Sequence, residues 1–202
     1  SLCVIVNQIV ARMHHASSEP GIPGMSGTTG TLSPAILKRE DYKTCVDRQY
    51  VQLEIRTAQT ASKPIITVFE EEKRRQAYFD YGLAWDKYRG TEWEFLLDID
   101  AVTYRRDEFE REAMIDRILA KVASYPVFNH RYDFFISHGQ AAAGDQCAML
   151  CALLRDRKKP NGTPYTVWYD NTMLDRDTTA MQEGVINSEY IIVFLSGDPN
   201  LD

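Results

Sequence analysis

Tyr50 and Glu54, in the segment YVQLEIRTA, are the residues whose types and spacing first suggest chemistry. They are four positions apart, so on a helix they share one face. A carboxylate beside an aromatic ring can line a pocket for a ribose or for a planar base. The same spacing is typical of an exposed glutamate paired with a lysine or arginine, and by itself it favours that structural interpretation.

A second group of polar residues, Ser137, His138, Gly139 and Gln140, follows the apolar run YDFFI. A loop between a strand and a helix can offer backbone N–H groups to a phosphate. The GxGxxG and Walker patterns are missing, which disfavours Rossmann-type redox chemistry and P-loop nucleotide hydrolysis. No lysine or arginine accompanies the loop, which weakens the prediction of phosphate binding. A neutral structural role for His138 is favoured over general-base catalysis.

The run VWYDNTMLDRD contains a third group of candidates. Asp170 is expected to cap the loop that follows, since aspartate commonly bonds backbone groups in turns. Trp168 is interpreted as core or pocket wall rather than as a catalytic group. Cys147 and Cys151 are one helical turn apart in an apolar pattern, which indicates small core residues. A zinc site would need further ligands at close spacing, so we predict no metal.

Alternating strands and helices must position these candidates. Apolar, β-branched runs predict strands at 65–70, 132–137, 165–169 and 190–195, with an edge strand at 98–104. Amphipathic helices are predicted at 46–62, 106–123, 145–158 and 177–187, with a short helix within 81–97. The predicted inner faces are Val51, Ile55 and Ala58 in the first helix, and Phe109, Ala113, Ile115, Ile118 and Val122 in the second. This alternation predicts a parallel sheet covered on both faces, with its strand order left open.

Two stretches of the chain resemble the two halves of one known domain. Residues 132–196, with YDFFISHGQ, VWYDNTML and MQEGVINSEYIIVFLS, resemble the N-terminal half of a TIR (Toll/interleukin-receptor) domain. Residues 32–119, with YVQLEIRTAQTASKPIITVFEE, FDYG and YRRDEFEREAMIDRIL, resemble its C-terminal half, in the style of algal, oomycete and amoebal members. Together the stretches cover about three-quarters of the chain. The resemblance implies an α/β, flavodoxin-like three-layer fold with a five-stranded parallel sheet.

The two halves occur in reversed order, with 32–123 before 131–202, and residues 1–31 are expected to be an extension or linker. This is the order of a circularly permuted TIR domain or of a slice through two tandem domains. The segment between the halves reaches up to about 33 Å when extended. Closure of one sheet within one chain is therefore favoured over exchange of halves between two chains. The two new chain ends that this order creates are expected at the carboxyl edge of the sheet, where ligands bind in such folds.

In enzymatic TIR proteins a glutamate on the third helix cleaves the nicotinamide–ribose bond of NAD⁺, and the resemblance places Glu54 at that position. Loss of nicotinamide leaves an oxocarbenium-like centre, which a carboxylate can stabilise or attack. The resemblance also implies residues that contact the substrate and a loop for self-association. The substrate contacts are Tyr50, Phe135, Ser137, His138, Gly139, Gln140, Trp168 and Asp170, and the self-association loop is Asn171, Thr172, Met173 and Leu174.

Composition argues against several other classes of protein. The net charge is −6, and the basic residues form short clusters among acids, interpreted as solvated surface, which disfavours a nucleic-acid binder. No apolar run approaches the ~18 residues that span a membrane. The first residues also lack the pattern of a signal peptide. With four cysteines and no disulfide framework, a reducing cytoplasmic location is expected.

Three functions follow from these observations. The favoured function is an NAD⁺ glycohydrolase that releases nicotinamide and ADP-ribose or a cyclic variant, with NAD⁺ as substrate and no separate cofactor. The second is a non-catalytic TIR module that acts by assembly with other TIR domains, as a homo-oligomer. The third is a related N-glycosidic transferase acting on nucleosides. Base exchange in place of hydrolysis would distinguish the transferase from the glycohydrolase.

Overall fold

The computed structural model describes residues 41–125, 130–173 and 177–198. The predicted linker at 1–31 and Leu174 of the predicted self-association loop lie outside the described residues. The helices are α1 (Gln49–Thr60), α2 (Tyr81–Tyr88), α3 (Phe95–Asp98), α4 (Glu108–Ala123), α5 (Gln140–Asp156) and α6 (Thr178–Ile186). The strands are β1 (Ile65–Phe69), β2 (Val102–Thr103), β3 (Tyr132–His138), β4 (Val167–Trp168) and β5 (Ser188–Leu195).

The five strands form one parallel sheet in the order β2-β1-β5-β3-β4. If the strands are renumbered from β3, so that β3, β4, β5, β1 and β2 become strands 1 to 5, this is the 2-1-3-4-5 order of flavodoxin-like sheets. The topology is therefore a circular permutation of that order. The predicted α/β, flavodoxin-like class is confirmed.

Helices cover both faces of the sheet, which gives three layers. Helices α4 and α5 pack on one face, and α1, α2, α3 and α6 pack on the other. Alternate residues of β5 supply the two cores, because successive side chains of a strand point to opposite faces. Ile192 and Phe194 enter the first core, whereas Ile191, Val193 and Leu195 enter the second. Every residue of β5 is buried, as expected for a central parallel strand.

The predicted inner face of α4 is partly wrong. Phe109 is 88% exposed and Ala113 is exposed as well, whereas Met114, Ile118 and Val122 are buried. At about 100° per residue, Phe109 and Ala113 lie on the side of the helix opposite to Ile118. The prediction combined residues from two faces, because apolar residues occur on both.

Helix α5 begins five residues earlier than the predicted start at 145. The segment after His138 was interpreted as a loop, but its alanines favour helix and Ala143 is fully buried. Gly139 is the N-cap, so Gln140 opens the first turn of α5 rather than lying in a loop. The two edge strands are each two residues long, shorter than predicted, since only one neighbour pairs with each.

The two halves of the chain meet at β1 and β5, which pair in register from Ile65 opposite Ile191 to Phe69 opposite Leu195. The segment just before α1 and the segment just after β5 are also joined by backbone hydrogen bonds. The Cys45 N–H donates to the Ser196 carbonyl at 2.9 Å, and the Asp198 N–H donates to the Lys43 carbonyl at 2.9 Å. The described residues on either side of the permutation, Lys43 and Cys45 from one half and Ser196 and Asp198 from the other, therefore lie side by side after the carboxyl end of β5. No helix within the described ranges is long and apolar enough to cross a membrane.

Candidate active site

Glu54 lies on the buried side of α1, with 6% of its surface exposed. Its neighbours Val51 and Ile55 pack into the core of that face, which carries the carboxyl inward with them. The Ser137 hydroxyl, near the end of β3, donates a hydrogen bond to Glu54 Oε2 at 2.5 Å. Glu54 is therefore not the solvated helical glutamate that its spacing alone favoured.

Burial raises the pKa of Glu54 to about 8, because removal from water disfavours the charged form. The hydrogen bond from Ser137 lowers this pKa, and the negative charge of Asp170 raises it further. The folded protein therefore holds Glu54 protonated at neutral pH. A cation brought beside the carboxyl would favour ionisation.

A cleft of about 140 Å³ opens beside Glu54 at the carboxyl edge of the sheet. This Glu54 cleft is smaller than the ~300 Å³ at the lower end of small-molecule pockets, so it suits one end of a larger ligand. Tyr50 is 59% exposed and lines the cleft with Glu54, as their helical spacing predicts. The lining residues are Arg48, Tyr50, Val51, Glu54, Ile136, His138, Gln140, Trp168, Asp170 and Met181.

Trp168 forms one wall of the cleft and is held from two sides. Its ring stacks on Phe135 with centroids 4.5 Å apart. A Cβ atom at Gly184 in α6 would lie 2.7 Å from the indole, so only glycine leaves room for the ring. Phe135 is fully buried behind Trp168 and does not line the cleft, although it was predicted to contact substrate. Its place in the structure is that of a support for Trp168.

His138 ends β3 and belongs to a polar network that continues away from Glu54. Its Nε2 is 2.7 Å from Gln140 Oε1, and because an amide oxygen can only accept, Nε2 carries the proton. Gln140 Nε2 in turn donates to Asn171 Oδ1 at 3.2 Å. Burial lowers the pKa of His138, with Asp170 opposing that shift, so the imidazole is neutral at neutral pH. The neutral structural role expected of His138 fits this arrangement.

The loop after β4 is fixed by its own hydrogen bonds. Asp170 Oδ1 accepts from the adjacent Asn171 N–H at 2.7 Å, but Asp170 is the first residue of a short 3-10 helix whose N-cap is Tyr169, so the expected cap is not formed. The Asn171 side chain donates to the Tyr169 hydroxyl at 2.9 Å, and the Thr172 hydroxyl donates to the Tyr169 carbonyl at 2.8 Å. Met173 packs against the core of the α1 face. Three of the four residues predicted for self-association are thus described, and Asn171 and Thr172 make bonds within the chain.

Arg48 brings to the cleft a cation that sequence reasoning missed. It is the residue just before α1, and its guanidinium is paired with the fully buried Asp198 carboxylate, with Nη2 and Oδ1 3.0 Å apart. Arg48 lies 90 positions before His138, so the sequence around the loop gave no sign of it. Its place six residues before Glu54 was the one available signal. Met181 of α6 was missed as well, since it reads as an ordinary apolar helix residue.

No family model, curated protein or solved structure matches this chain. A functional proposal therefore rests on the geometry above and on the sequence resemblance. In the ranges that the structure describes, no group of three histidine, cysteine, aspartate or glutamate side chains is placed to hold a metal ion. The chemistry available in the cleft is that of the Glu54 carboxyl, the Trp168 ring and the nearby Arg48 and Asp170 charges, while the buried Ser137 hydroxyl acts on Glu54 from behind the lining.

Proposed function

We propose that this chain is a TIR-type NAD⁺ glycohydrolase in which Glu54 acts on the ribose carbon that bears nicotinamide. The observation that carries the proposal is the buried Glu54 carboxyl, hydrogen-bonded by Ser137 and facing a cleft at the carboxyl edge of the sheet. This edge is where open α/β sheets bind their ligands. The cleft also contains Tyr50 and Trp168, whose rings suit a flat nicotinamide or a ribose face.

The proposed reaction breaks the bond between ribose C1′ and the nicotinamide nitrogen. The positively charged ring leaves with the bonding electron pair as neutral nicotinamide, and positive charge develops at C1′. An ionised Glu54 stabilises this charge, and water then adds to C1′ and loses a proton to give ADP-ribose. Glu54 must be ionised for this role. The cationic ring of the substrate lowers its pKa from the raised value of the free protein.

A non-catalytic assembly module is the second candidate, and the small volume of the Glu54 cleft favours it. At about 140 Å³ the cleft does not enclose a dinucleotide in this state. A protonated, buried glutamate bonded to Ser137 also serves as a structural group. As an assembly module, the protein forms homo-oligomers through the loop at 171–174, and Glu54 helps to fix α1 against β3.

Nicotinamide release from NAD⁺ by the concentrated full chain tests the proposal directly. The parent is compared with Glu54→Gln, which keeps the size and can still accept from Ser137. The matched control is Glu112→Gln, whose carboxylate is 60% exposed on α4. We expect release by the parent and by Glu112→Gln, and at least a ~100-fold loss in Glu54→Gln.

Each other result has a defined meaning. Release by neither the parent nor the control, at concentrations where the protein self-associates, contradicts the glycohydrolase and supports the assembly module. Release that persists in Glu54→Gln removes Glu54 from the mechanism. Incorporation of labelled nicotinamide into NAD⁺ without net hydrolysis supports the N-glycosidic transferase.

We also propose that the protein works in a reducing, cytoplasmic compartment. Cys45, Cys147 and Cys151 are free thiols and are buried. Cys147 and Cys151 lie in the core between α5 and the sheet, as their spacing predicts. Burial raises the pKa of Cys45 to about 11, so that thiol stays protonated and unreactive at neutral pH. These cysteines therefore act as small core residues.

A further inference from the structure

A second and larger cavity, of about 440 Å³, lies beside the Glu54 cleft. Three arginines line it: Arg74, Arg75 and Arg106. Among the described residues that line it, Asp145 is the only acidic one. The described lining of this arginine cavity thus carries three positive charges and one negative charge, in a chain whose net charge is −6. An excess of one charge sign in a cavity concentrates ligands of the opposite sign.

The arginines come from separate parts of the sequence that the sheet brings to one edge. Arg74 and Arg75 lie in the connection after β1, and Arg106 lies between β2 and α4. The first turn of α5, which follows β3, lines the same cavity. In the sequence these arginines were interpreted as solvated clusters among acids. Their convergence depends on parallel strands ending at the same edge.

Two of the arginines are held in place by carboxylates outside the cavity lining. Arg106 Nη2 donates to Oε2 of the buried Glu70 at 2.7 Å, and Arg75 Nε donates to Glu72 Oε2 at 3.0 Å. A guanidinium has five N–H donors, so each keeps donors for a ligand. Among the described residues Arg74 makes no ion pair within 4 Å, although its charge lies close enough to Glu72 to help lower the pKa of that carboxyl.

Gln140 connects the two sites, because it lines both the Glu54 cleft and the arginine cavity. Its side chain is hydrogen-bonded to His138 on the side of the Glu54 cleft. It is also hydrogen-bonded to Asn171, which lines the arginine cavity. A ligand with an anionic middle and a ribosyl end that carries no negative charge has the matching pattern of charge. Guanidinium groups bind phosphate oxygens in paired hydrogen bonds, which suits a diphosphate.

We propose that the arginine cavity is the diphosphate subsite for a dinucleotide whose ribosyl end enters the Glu54 cleft. This inference rests on the proposed function for the identity of that ribosyl end. The cavity supplies the volume that the cleft lacks. Arg74 and Arg75 donate hydrogen bonds to the phosphate oxygens, and Arg106 adds a third positive charge to the lining.

Direct binding by calorimetry tests this subsite without requiring catalysis. The probes are ADP-ribose, pyrophosphate, and nicotinamide riboside, which has no phosphate. The variant is Arg74→Gln/Arg75→Gln, because loss of Arg106 would leave the Glu70 carboxylate buried and unpaired. The control is Lys73→Gln/Arg105→Gln, which removes the same charge from neighbouring residues that do not line the cavity.

We expect the Kd of ADP-ribose and of pyrophosphate to rise about 10- to 100-fold in Arg74→Gln/Arg75→Gln and to change little in the control. Pyrophosphate should compete with ADP-ribose, and nicotinamide riboside should bind equally to all three proteins. This result supports the subsite even where nicotinamide release from NAD⁺ fails, so the two proposals are separable.

Three results overturn the inference. The first is no binding of either diphosphate probe by the parent protein. The second is loss of pyrophosphate binding with ADP-ribose unaffected, which would make the cavity a site for a separate anion. The third is an equal loss in the control, which would mean that net charge alone attracts the probes. Unfolding in urea monitors the folded state of each variant.

Discussion

At the scale of single residues, the ionisation of Glu54 links stability to chemistry. A glutamate in water has a pKa near 4.5, and burial in α1 raises it to about 8. The Ser137 hydroxyl opposes this shift, since its hydrogen bond favours the charged carboxylate. The protein thus holds a carboxyl that is neutral when the cleft is empty and that a cationic ligand can ionise.

The first prediction concerns stability and pH. Between about pH 4.5 and about pH 8, folded Glu54 keeps a proton that the unfolded chain has lost. Its favourable contribution to the free energy of unfolding is fully present below the unfolded pKa and is lost as the pH rises through the folded pKa. Relative to Glu54→Gln, the free energy of unfolding of the parent should therefore fall by on the order of a few kcal/mol as the pH rises across this window.

Urea unfolding of the parent and Glu54→Gln at several pH values between these limits measures that difference. Using the difference cancels other titrating groups, which both proteins share. The exposed control Glu112→Gln should unfold with the pH dependence of the parent. A constant difference between parent and Glu54→Gln would show that the Glu54 pKa is not raised.

The second prediction concerns Ser137. Its hydrogen bond lowers the pKa of Glu54, so Ser137→Ala should raise that pKa further. If ionised Glu54 is the active form, the pH midpoint for nicotinamide release moves upward by about one pH unit. The control is Ser188→Ala, a buried serine whose hydroxyl donates to the Gly184 carbonyl at 2.7 Å. It should change stability and leave the midpoint unchanged; a shift in both variants would argue against a specific role for Ser137.

At the scale of elements, α6 determines how Trp168 sits in the cleft. Gly184 leaves space for the indole, and Ser188, one turn later, bonds back to the Gly184 carbonyl as the helix gives way to β5. The Gly-x-x-x-Ser spacing in the sequence therefore has a packing explanation. It fixes the distance between α6 and the wall of the Glu54 cleft.

The third prediction is that Gly184→Ala destabilises the protein by about 1–3 kcal/mol through overpacking against Trp168. This is opposite in sign to the gain of ~1 kcal/mol that alanine gives within a helix. Gly144→Ala in α5 is the matched control, since its Cβ would meet only the flexible Gln140 side chain, at 3.3 Å. Urea unfolding compares the two variants, and equal stability changes would contradict the role assigned to Gly184.

At the scale of the whole molecule, the two halves of the chain complete one sheet. The central strand β5 comes from the second half, and its neighbour β1 comes from the first. Helices α1 and α6 also come from different halves and share one core. Either half alone would leave an open strand edge and an uncovered apolar face, both of which disfavour an isolated folded state.

The fourth prediction is that residues 32–125 and 126–202, prepared separately, do not fold but assemble into the native sheet when mixed. Far-UV circular dichroism and amide NMR spectra of each half and of the mixture measure this. A protease site inserted between 125 and 130 in the intact chain gives the control, because cleavage there should leave the halves associated. A cooperative unfolding transition in either half alone would contradict the prediction.

Local patterns in the sequence were sufficient for the elements and the class of sheet. Runs such as IITVF and YIIVFL are buried on both faces, and their composition reports that burial directly. The core face of α1 was correctly predicted for the same reason. The pattern failed for Phe109, where an apolar residue lies on the exposed side of α4. Edge strands and the start of α5 were also misjudged, since pairing and capping depend on neighbours distant in the sequence.

The candidate site shows most clearly which features follow from local sequence and which depend on the tertiary structure. The sequence by itself determined that Glu54 lies on a helix and that Ser137, His138 and Trp168 lie at or near the ends of strands, since local patterns determine the order of the elements. Only the tertiary structure decided that Glu54 is buried against Ser137, 83 residues away. It also decided that Arg48 reaches the cleft and that three arginines line one cavity. Those contacts depend on strand order, which places the ends of distant segments side by side and which no local pattern encodes.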